Sequence, residues 1–198
     1  MVFKHLKSGA RVNDKDFDTI YPNPLRAAAE FHFTPVDVAQ FAAQALVGQP
    51  GTKVLDIGSG AGKFCMVGAA CTNGHFTGVE QRENLCLLSN QLAECYGLSN
   101  VSFLHANIME IGFDAFDAFY FFNAFYENVS QANPIDRSVS LDRRLYDEYS
   151  LSVREKLDAM PPGTKLATYF SYSHEVPDSY VVQMTCYNGY LKIWEKVG

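Results

Sequence analysis

Residues 53–64, with the sequence KVLDIGSGAGKF, constrain the fold of this chain more than any other segment. An apolar run over residues 54–57 leads into a turn with glycine at every second position, and a helix-forming sequence follows. Gly58, Gly60 and Gly62 lack side chains where the backbone must bend sharply and approach a ligand. A strand, a glycine turn and a helix in this order predict a ligand pocket at the end of a buried strand.

The spacing of the glycines excludes two common nucleotide-binding motifs. A dinucleotide-binding loop of the form G-x-G-x-x-G that starts at Gly58 needs glycine at position 63, where the chain has Lys63. A phosphate-binding loop needs Ser or Thr after its Gly-Lys pair, and the chain has Phe64 there. The motif that remains is D-x-G-x-G-x-G, which starts at Asp56 and ends at Gly62.

Composition predicts one globular domain inside the cell. The chain has 198 residues, of which 47% are hydrophobic, and this is enough for a full core. Its 22 acidic and 16 basic residues give a net charge of −6, which disfavours nucleic-acid partners. Five cysteines without a C-x-x-C pair predict reduced thiols, with neither disulfides nor a metal site. Residues 1–7 lack the apolar run of a signal peptide, so we expect a cytoplasmic protein without a membrane partner.

Residues 1–33 show no sustained period, and Tyr21-Pro22-Asn23-Pro24 indicates a turn, so we expect an irregular N-terminal arm. A single domain is predicted over residues 34–198, beginning with a helix that has Thr34 as its N-cap and Pro35 as its first residue. Tyr21 in the arm either packs against the domain or closes over a ligand.

Strand and helix patterns alternate through this domain. Strands are predicted at 54–57, 76–79, 101–104, 116–122 and 165–170, helices at 63–70, 84–96 and 142–160, and a two-residue hairpin around Asn188-Gly189 joins strands 181–186 and 190–194. This order predicts an α/β fold, Rossmann-like, with a seven-stranded, mostly parallel sheet, an antiparallel C-terminal hairpin strand and helices on both faces. Ligands of such a sheet bind at the carboxyl ends of its strands.

The motif from Asp56 to Gly62 resembles the first motif of class I methyltransferases that use S-adenosylmethionine. Residues 34–128 also resemble seven-strand protein lysine methyltransferases of the disruptor-of-telomeric-silencing type. Those enzymes have four features in succession: a Thr before a helix, the glycine motif, Gly-Val-Glu, and a strand end similar to Asn-Phe-Ala-Phe. The corresponding positions in this chain are, in the same order, Thr34, residues 56–62, residues 78–80 and residues 123–125. The resemblance implies S-adenosylmethionine as cofactor and an amine as methyl acceptor.

The same resemblance assigns cofactor-binding residues. It implies that Asp56 reaches toward the amino-acid part of the cofactor, although a capping role alone is the alternative. Glu80, at the end of the second strand, is expected to accept hydrogen bonds from both ribose hydroxyls, or else to be a solvated acid. Gln81, the next residue, is a weaker candidate for binding the cofactor. Asn107 and Ile108, after the third strand, correspond to the adenine contacts, but an ordinary loop is equally compatible with them.

The start of the first helix of the domain has two compatible interpretations. Thr34 caps the helix, and the same helix start is a place for the cofactor's methionyl carboxylate.

The end of the fourth strand is the expected site of methyl transfer. Asn123 can accept a hydrogen bond from the incoming amine, and Tyr126 is the second predicted catalytic residue. Phe125 and Glu127 are predicted to bind the substrate, with the ring of Phe125 favouring a cation. Residues 123–126 also resemble a degraded Asn/Asp-Pro-Pro-Tyr/Phe motif of enzymes that methylate adenine, cytosine or glutamine nitrogens. Phe119 and Phe121 are expected to fill the core.

No general base is evident. His105 and Glu127 are the nearest candidates in sequence, and His105 is more typical of a structural residue. Residues 129–141 form either a substrate lid or an inert loop.

The leading hypothesis is therefore an S-adenosylmethionine-dependent methyltransferase that acts on nitrogen, with protein lysine as the preferred acceptor. Methylation of a small molecule or of a nucleic-acid base is the alternative within catalysis. A module that binds the cofactor without turnover is the alternative outside it. A nicotinamide oxidoreductase is disfavoured by Lys63. The sequence does not indicate an oligomeric state.

Overall fold

A computed structural model describes residues 1–130, 132 and 134–198 of the chain. Its strands are β1 (Lys53–Ile57), β2 (His75–Glu80), β3 (Val101–His105), β4 (Ala118–Phe122), β5 (Lys165–Tyr169), β6 (Tyr180–Cys186) and β7 (Leu191–Lys196). Its α-helices are α1 (Val2–Lys7), α2 (Asp14–Phe17), α3 (Asn23–His32), α4 (Val36–Leu46), α5 (Lys63–Cys71), α6 (Glu83–Cys95) and α7 (Arg143–Asp158). Gln131 and Asn133, within the predicted lid loop, lie outside the described residues.

The strands form one sheet in the order β3-β2-β1-β4-β5-β7-β6. The first five strands are parallel, and β7 runs antiparallel between β5 and β6. The predicted fold, with seven mostly parallel strands and an antiparallel C-terminal hairpin, is confirmed. The strand order reverses between β1 and β4, and a crevice at the carboxyl ends of the strands is expected at such a point.

Each face of the sheet carries a buried hydrophobic cluster. In β4, Ala118 and Tyr120 belong to the cluster on one face, and Phe119 and Phe121 belong to the cluster on the other. This alternation is the period of two that a strand imposes on its side chains. Phe119 and Phe121 are buried, as predicted.

The N-terminal segment differs from the prediction. Residues 1–33 form α1, α2 and α3, not an irregular arm. Helices of six and four residues are too short to show a hydrophobic period, so the sequence pattern missed them. The Pro-Asn-Pro segment was interpreted as a turn, but proline is equally suited to the first turn of a helix, and α3 begins at Asn23. The domain boundary after residue 33 remains a prediction.

The predicted N-cap of the first domain helix is wrong. Helix α4 begins at Val36, and the side chain of Asp14 accepts a hydrogen bond from the Val36 amide at 2.9 Å. The hydroxyl of Thr34 instead bonds that of Tyr120 at 2.8 Å. An acid 22 positions earlier in the chain thus caps this helix.

The C-terminal hairpin forms, although its turn is longer than the predicted two residues. Four residues, 187–190, connect β6 to β7. Asn188 and Gly189 have φ angles of 57° and 92°, so the Asn-Gly pair does supply the left-handed conformation that the turn needs. None of the described helices has the length and apolar run that a bilayer crossing requires.

Candidate functional site

A cavity of about 270 Å³ lies at the carboxyl ends of β1, β2, β3 and β4. Ten of the predicted site residues line it, because parallel strands bring their carboxyl ends to one edge of the sheet. They are Gly58, Gly60, Glu80, Gln81, Asn107, Ile108, Asn123, Phe125, Tyr126 and Glu127. Thr34, Asp56 and Gly62 are not among the residues that line this cavity.

The three glycines of the loop after β1 have different roles. A Cβ at Gly58 would lie 2.4 Å from the Cβ of Ala124, so this glycine allows the loop to approach the end of β4. A Cβ at Gly62 would lie 2.5 Å from the ring of Phe103. Gly58 and Gly60 border the cavity, whereas Gly62 packs beneath the loop and has a structural role.

The backbone amides of this loop are bonded within the protein. The amides of Gly58 and Ser59 both donate to the carbonyl of Val79, at 3.0 and 2.9 Å. The Gly60 amide donates to Glu80 Oε2 at 3.0 Å, and the Gly62 amide donates to the Ser59 carbonyl at 2.9 Å. The first three donors hold the loop against β2 and the fourth closes the loop on itself, so none of the four is available as a cradle for an anion.

Glu80 is the acid at the centre of the site. Its second oxygen, Oε1, accepts a hydrogen bond from the Arg82 amide at 2.8 Å. Burial raises the pKa of Glu80, and the hydrogen bonds and charge of Arg82 and the amide of Gly60 oppose that rise. Each carboxylate oxygen has a further lone pair, so Glu80 can still accept hydrogen bonds from two hydroxyl groups.

Arg82 was not predicted from the sequence, and it ties together three acids around the cavity. Its guanidinium, 3% exposed, lies 2.8 Å from Glu127 Oε2, 3.0 Å from Asp136 Oδ1 and 3.7 Å from Glu80 Oε1. Partial burial raises the pKa of Asp136, but hydrogen bonds from Ser138, Asn84 and Arg82 lower it to about 2. No local pattern marks Arg82, because two of its three acidic partners are 45 and 54 residues away in the chain.

Glu127 is engaged on both of its oxygens. Oε2 accepts from Arg82, and Oε1 accepts from the Ile135 amide at 2.7 Å. These bonds fix the loop after β4 and favour a structural role for Glu127 over that of a general base. His105, the other candidate base, is exposed and is not among the residues that line the cavity.

Asp56 lies behind Gly58 and lines a smaller adjoining cavity of about 20 Å³, together with Thr34 and Tyr120. Burial raises the pKa of Asp56 to about 7, a hydrogen bond from the Cys65 thiol opposes this, and the charge of Glu80 adds to it. The volume of the smaller cavity is enough for about one water-sized group.

Beyond β3, the cavity wall combines apolar surface with one amide. Val79, Ala106 and Ile108 supply the apolar part. The side chain of Asn107 accepts from the Met109 amide at 3.0 Å and donates to the hydroxyl of Tyr149 at 3.1 Å. One donor hydrogen and one acceptor lone pair of this amide remain for a ligand.

The end of β4 has a strained backbone. Asn123 has a φ of 44°, a left-handed conformation uncommon for residues other than glycine, and Phe170 at the end of neighbouring β5 has a φ of 49°. Strain of this kind concentrates at functional sites. The ring of Phe125 is buried against Phe121 and Tyr149, whereas the ring of Tyr126 lies 6.1 Å from that of the exposed Tyr172.

The N-terminal segment supplies part of the cavity wall, which the sequence did not predict. Phe31 and His32, at the end of α3, line the cavity. Tyr21 packs against the domain and does not close over the cavity. It is buried, and its hydroxyl donates to the Ala61 carbonyl at 3.2 Å. The ring of Phe33 lies where it would be 3.3 Å from a Cβ at Gly60.

Comparison with known proteins agrees with this geometry. The family described as "Methyltransferase domain" matches residues 49–146. Among solved structures, TrmN from Thermus thermophilus superposes with a TM-score of 0.60 and 19% identity, over 86% of this chain and 51% of that one. The cyclase SpnF gives a TM-score of 0.52 and 23% identity, over 67% of this chain and 43% of its own. An RNA methyltransferase from Salinibacter ruber in complex with S-adenosylhomocysteine superposes with a TM-score of 0.51 and 17% identity, over 89% of this chain and 91% of that one.

The chain spans about half the length of SpnF and TrmN. At identities below 25% these likenesses concern the fold, and the presence of a cyclase among them illustrates that one fold supports more than one reaction. No curated protein sequence matches the chain. Residues 49–146 thus match the model of a methyltransferase domain, and the strand order together with these solved structures shows that the chain has the Rossmann-like fold of class I methyltransferases.

Proposed function

We propose that this chain is an S-adenosylmethionine-dependent methyltransferase that transfers a methyl group to nitrogen, with the side chain of a protein lysine as acceptor. The main support is that the loops after β1, β2, β3 and β4 all border one cavity, with the buried acid Glu80 at its centre. The family match to a methyltransferase domain supports the same reaction class.

The residues around the cavity suit the chemistry of the cofactor. Glu80 can accept hydrogen bonds from both ribose hydroxyls while keeping its own bonds to Gly60 and Arg82. Val79 and Ile108 offer apolar surface to a purine ring, and Asn107 keeps one donor and one acceptor for the ring's polar edge. S-adenosylhomocysteine bound to the Salinibacter ruber relative is consistent with this choice of ligand.

The amino-acid end of the cofactor carries an ammonium and a carboxylate. Asp56, two residues before Gly58, lines the smaller cavity and is proposed to face that ammonium. With its pKa raised to about 7 by burial, the Asp56 carboxyl needs a cationic partner in order to ionise fully.

The cofactor supplies a methyl group already activated on a sulfonium, so the protein needs to align the acceptor and exclude water. The side chain of Asn123 borders the cavity and is proposed to accept a hydrogen bond from the incoming amine. Phe122 and Tyr126 wall the same region, and their rings exclude bulk solvent from the reacting atoms.

Aromatic rings around the cavity support an amine acceptor. Phe31 and Tyr126 line the cavity, and Tyr172 lies beside Tyr126 with two thirds of its surface exposed. Ring faces attract ammonium groups. The net charge of −6 disfavours nucleic acid, which needs cationic side chains against its phosphates.

Calorimetric titration with S-adenosylmethionine and S-adenosylhomocysteine tests the cofactor. We expect both to bind, and failure of both to bind would refute the enzyme assignment. The acceptor is tested by incubating the protein with radiolabelled cofactor and a cell lysate, followed by separation of protein, RNA and metabolite fractions. Label on protein lysine is expected. Label in RNA or in small molecules would show that the acceptor belongs to that class and is not protein lysine. Binding without any labelled fraction would indicate a module without turnover.

A further inference from the structure

The carboxylate of the cofactor's amino-acid end needs a donor or a cation, and few are available around the two cavities. The four bonded loop amides, at residues 58, 59, 60 and 62, are used within the protein. The side chains lining the cavities that can carry positive charge are His32, Lys63 and Arg82. Arg82 is already paired with Glu127 and Asp136.

Lys63 is also paired. Its ammonium, 2% exposed, lies 2.7 Å from Asp14 Oδ1 and 2.6 Å from Asp18 Oδ1, and 5.4 Å from the centre of the Phe17 ring. The charge of Lys63 is therefore balanced by two carboxylates of the N-terminal segment. A buried ammonium with two carboxylates is satisfied and is not a free anion site.

The start of α4, which the sequence suggested for this carboxylate, is occupied as well. Asp14 Oδ1 accepts from both the Val36 amide and Lys63 Nζ. A second carboxylate at this helix start would compete with Asp14 for the same donor and would be repelled by its charge.

Among the side chains around the two cavities that can carry positive charge, His32 is the one without a hydrogen bond or ion pair in the described part of the chain. It lines both the main cavity and the smaller cavity that contains Asp56. Its ring can donate a hydrogen bond from either nitrogen, and it can carry a positive charge. We propose that His32 binds the carboxylate at the amino-acid end of S-adenosylmethionine, and that Lys63 is the positioning residue that keeps His32 in place. This inference rests on the proposed cofactor.

The link from Lys63 to His32 runs through the N-terminal segment. Lys63 holds α2 and the turn after it through Asp14 and Asp18. Three residues after Asp18, the hydroxyl of Tyr21 donates to the Ala61 carbonyl in the glycine loop. Helix α3 starts at Asn23, directly after this anchored stretch, and ends at His32. Weakening the Lys63 pairs therefore loosens the segment that places His32 at the cavity.

Binding of two ligands separates this role from a general effect on the pocket. S-adenosylhomocysteine has the amino-acid end, and 5′-methylthioadenosine has the same adenosyl thioether without it. For His32→Ala we expect the affinity for S-adenosylhomocysteine to fall by about tenfold or more, the loss of one charge-assisted hydrogen bond, while that for methylthioadenosine changes less than about twofold. His105→Ala, at an exposed histidine outside both cavities, is the control and is expected to change neither.

An equal loss for both ligands in His32→Ala, or no loss for either, would overturn the proposal. If the unaltered protein binds neither ligand, the proposed function itself fails. If it binds S-adenosylhomocysteine and His32→Ala binds it equally well, only the assignment of His32 fails.

The role of Lys63 is tested in the same two titrations. Lys63→Met is expected to weaken S-adenosylhomocysteine more than methylthioadenosine, and to weaken it little further when His32 is already alanine. Lys196→Met is the control. Lys196, in the C-terminal strand, is also buried and is paired with the acid Asp158. If Lys63→Met does not fold, Asp18→Asn, which removes one of the two partners, is expected to give the same ligand preference in milder form. If the losses in S-adenosylhomocysteine binding free energy caused by Lys63→Met and His32→Ala add fully in the double variant, the positioning role is contradicted.

Discussion

The carboxylate of Glu80 accepts a hydrogen bond from the backbone amide of Gly60 at 3.0 Å, so the acid that ends β2 also fixes the glycine loop that follows β1. Two motifs that are 20 residues apart in the sequence are thereby one structural unit. A substitution in either motif should therefore alter the position of the other, because the loop and the acid are bonded to each other and border the same cavity.

Glu80→Gln tests this unit. A glutamine amide presents its NH₂ group to Gly60 or to Arg82, both of which are donors, so one of the two bonds at Glu80 is lost. We expect the affinity for S-adenosylhomocysteine to fall about tenfold or more and the free energy of unfolding to fall by about 1–3 kcal/mol, measured by calorimetry and by denaturant titration. Glu83→Gln, at an exposed site three residues further along the chain, should change neither quantity. Unchanged affinity in Glu80→Gln would refute the ribose assignment.

Gly58→Ala tests the close approach of the loop to β4. The new methyl group would lie 2.4 Å from the Cβ of Ala124, at a φ of 75°. Gly51 is the matched control, since it has a φ of 85° but no atom of the described residues within 4 Å of its Cβ position. We expect Gly51→Ala to cost about 1–2 kcal/mol of unfolding free energy, the cost of the left-handed conformation alone. Gly58→Ala should cost more and should also abolish ligand binding, and equal costs would contradict this account.

The sequence predicted the part of the fold that rests on local pattern. Strand β1, the glycine loop and Glu80 follow from apolar runs and their spacing, and the ten cavity residues followed from the rule that parallel strand ends meet at one edge. What escaped prediction depends on long-range pairing. Asp14 caps α4 from 22 residues away, and Lys63 is bonded to residues more than 40 positions earlier.

Arg82 and His32 escaped for the same reason. Arg82 follows Glu80 in a loop with no motif, and its role appears only when the folded chain brings Glu127 and Asp136 to it. His32 is the last residue of a helix in a segment predicted to be irregular, and only the packing of that segment brings it to the cavity. Hydrophobic period and glycine spacing do not report contacts of this kind.

Asp56 should make stability depend on pH. Its pKa in the folded state is about 7, above the ordinary 3.8, so folding favours the protonated form. The stabilisation is complete below about pH 4 and is lost as the pH rises to about 7, by an amount on the order of 4 kcal/mol. Asp56→Asn cannot ionise, so its stability relative to the unaltered protein should increase between pH 5 and pH 8 in urea titrations. Parallel pH profiles of the two proteins would show that Asp56 titrates normally.

Arg82→Met should release the loop after β4. It leaves Glu127 and Asp136 without their shared cation, and loss of one partner of a buried ion pair costs about 3 kcal/mol of unfolding free energy. Arg144→Met is the control, because the Arg144 side chain is 84% exposed in its pair with Asp142, so solvent screens the pair and its loss should cost far less than that of Arg82. Thermal and denaturant unfolding measure both. Equal effects of the two substitutions would mean that the Arg82 network does not stabilise the fold.

Asn123→Gly separates catalysis from backbone strain. Glycine adopts the φ of 44° without cost, so this variant removes the amide and keeps the loop conformation. If Asn123 orients the acceptor, kcat should fall by about a hundredfold with S-adenosylhomocysteine affinity unchanged, measured by single-turnover methyl transfer and calorimetry. Asn123→Ala should show the same loss in kcat together with a lower stability. An active Asn123→Gly enzyme would exclude a catalytic role for this amide.

A crystal structure with S-adenosylhomocysteine tests the central claim most directly. The account predicts the ribose hydroxyls on the carboxylate of Glu80, the purine between Val79 and Ile108, and the methionyl carboxylate at His32. A ligand bound elsewhere, or a cavity that stays empty at saturating ligand, would contradict it.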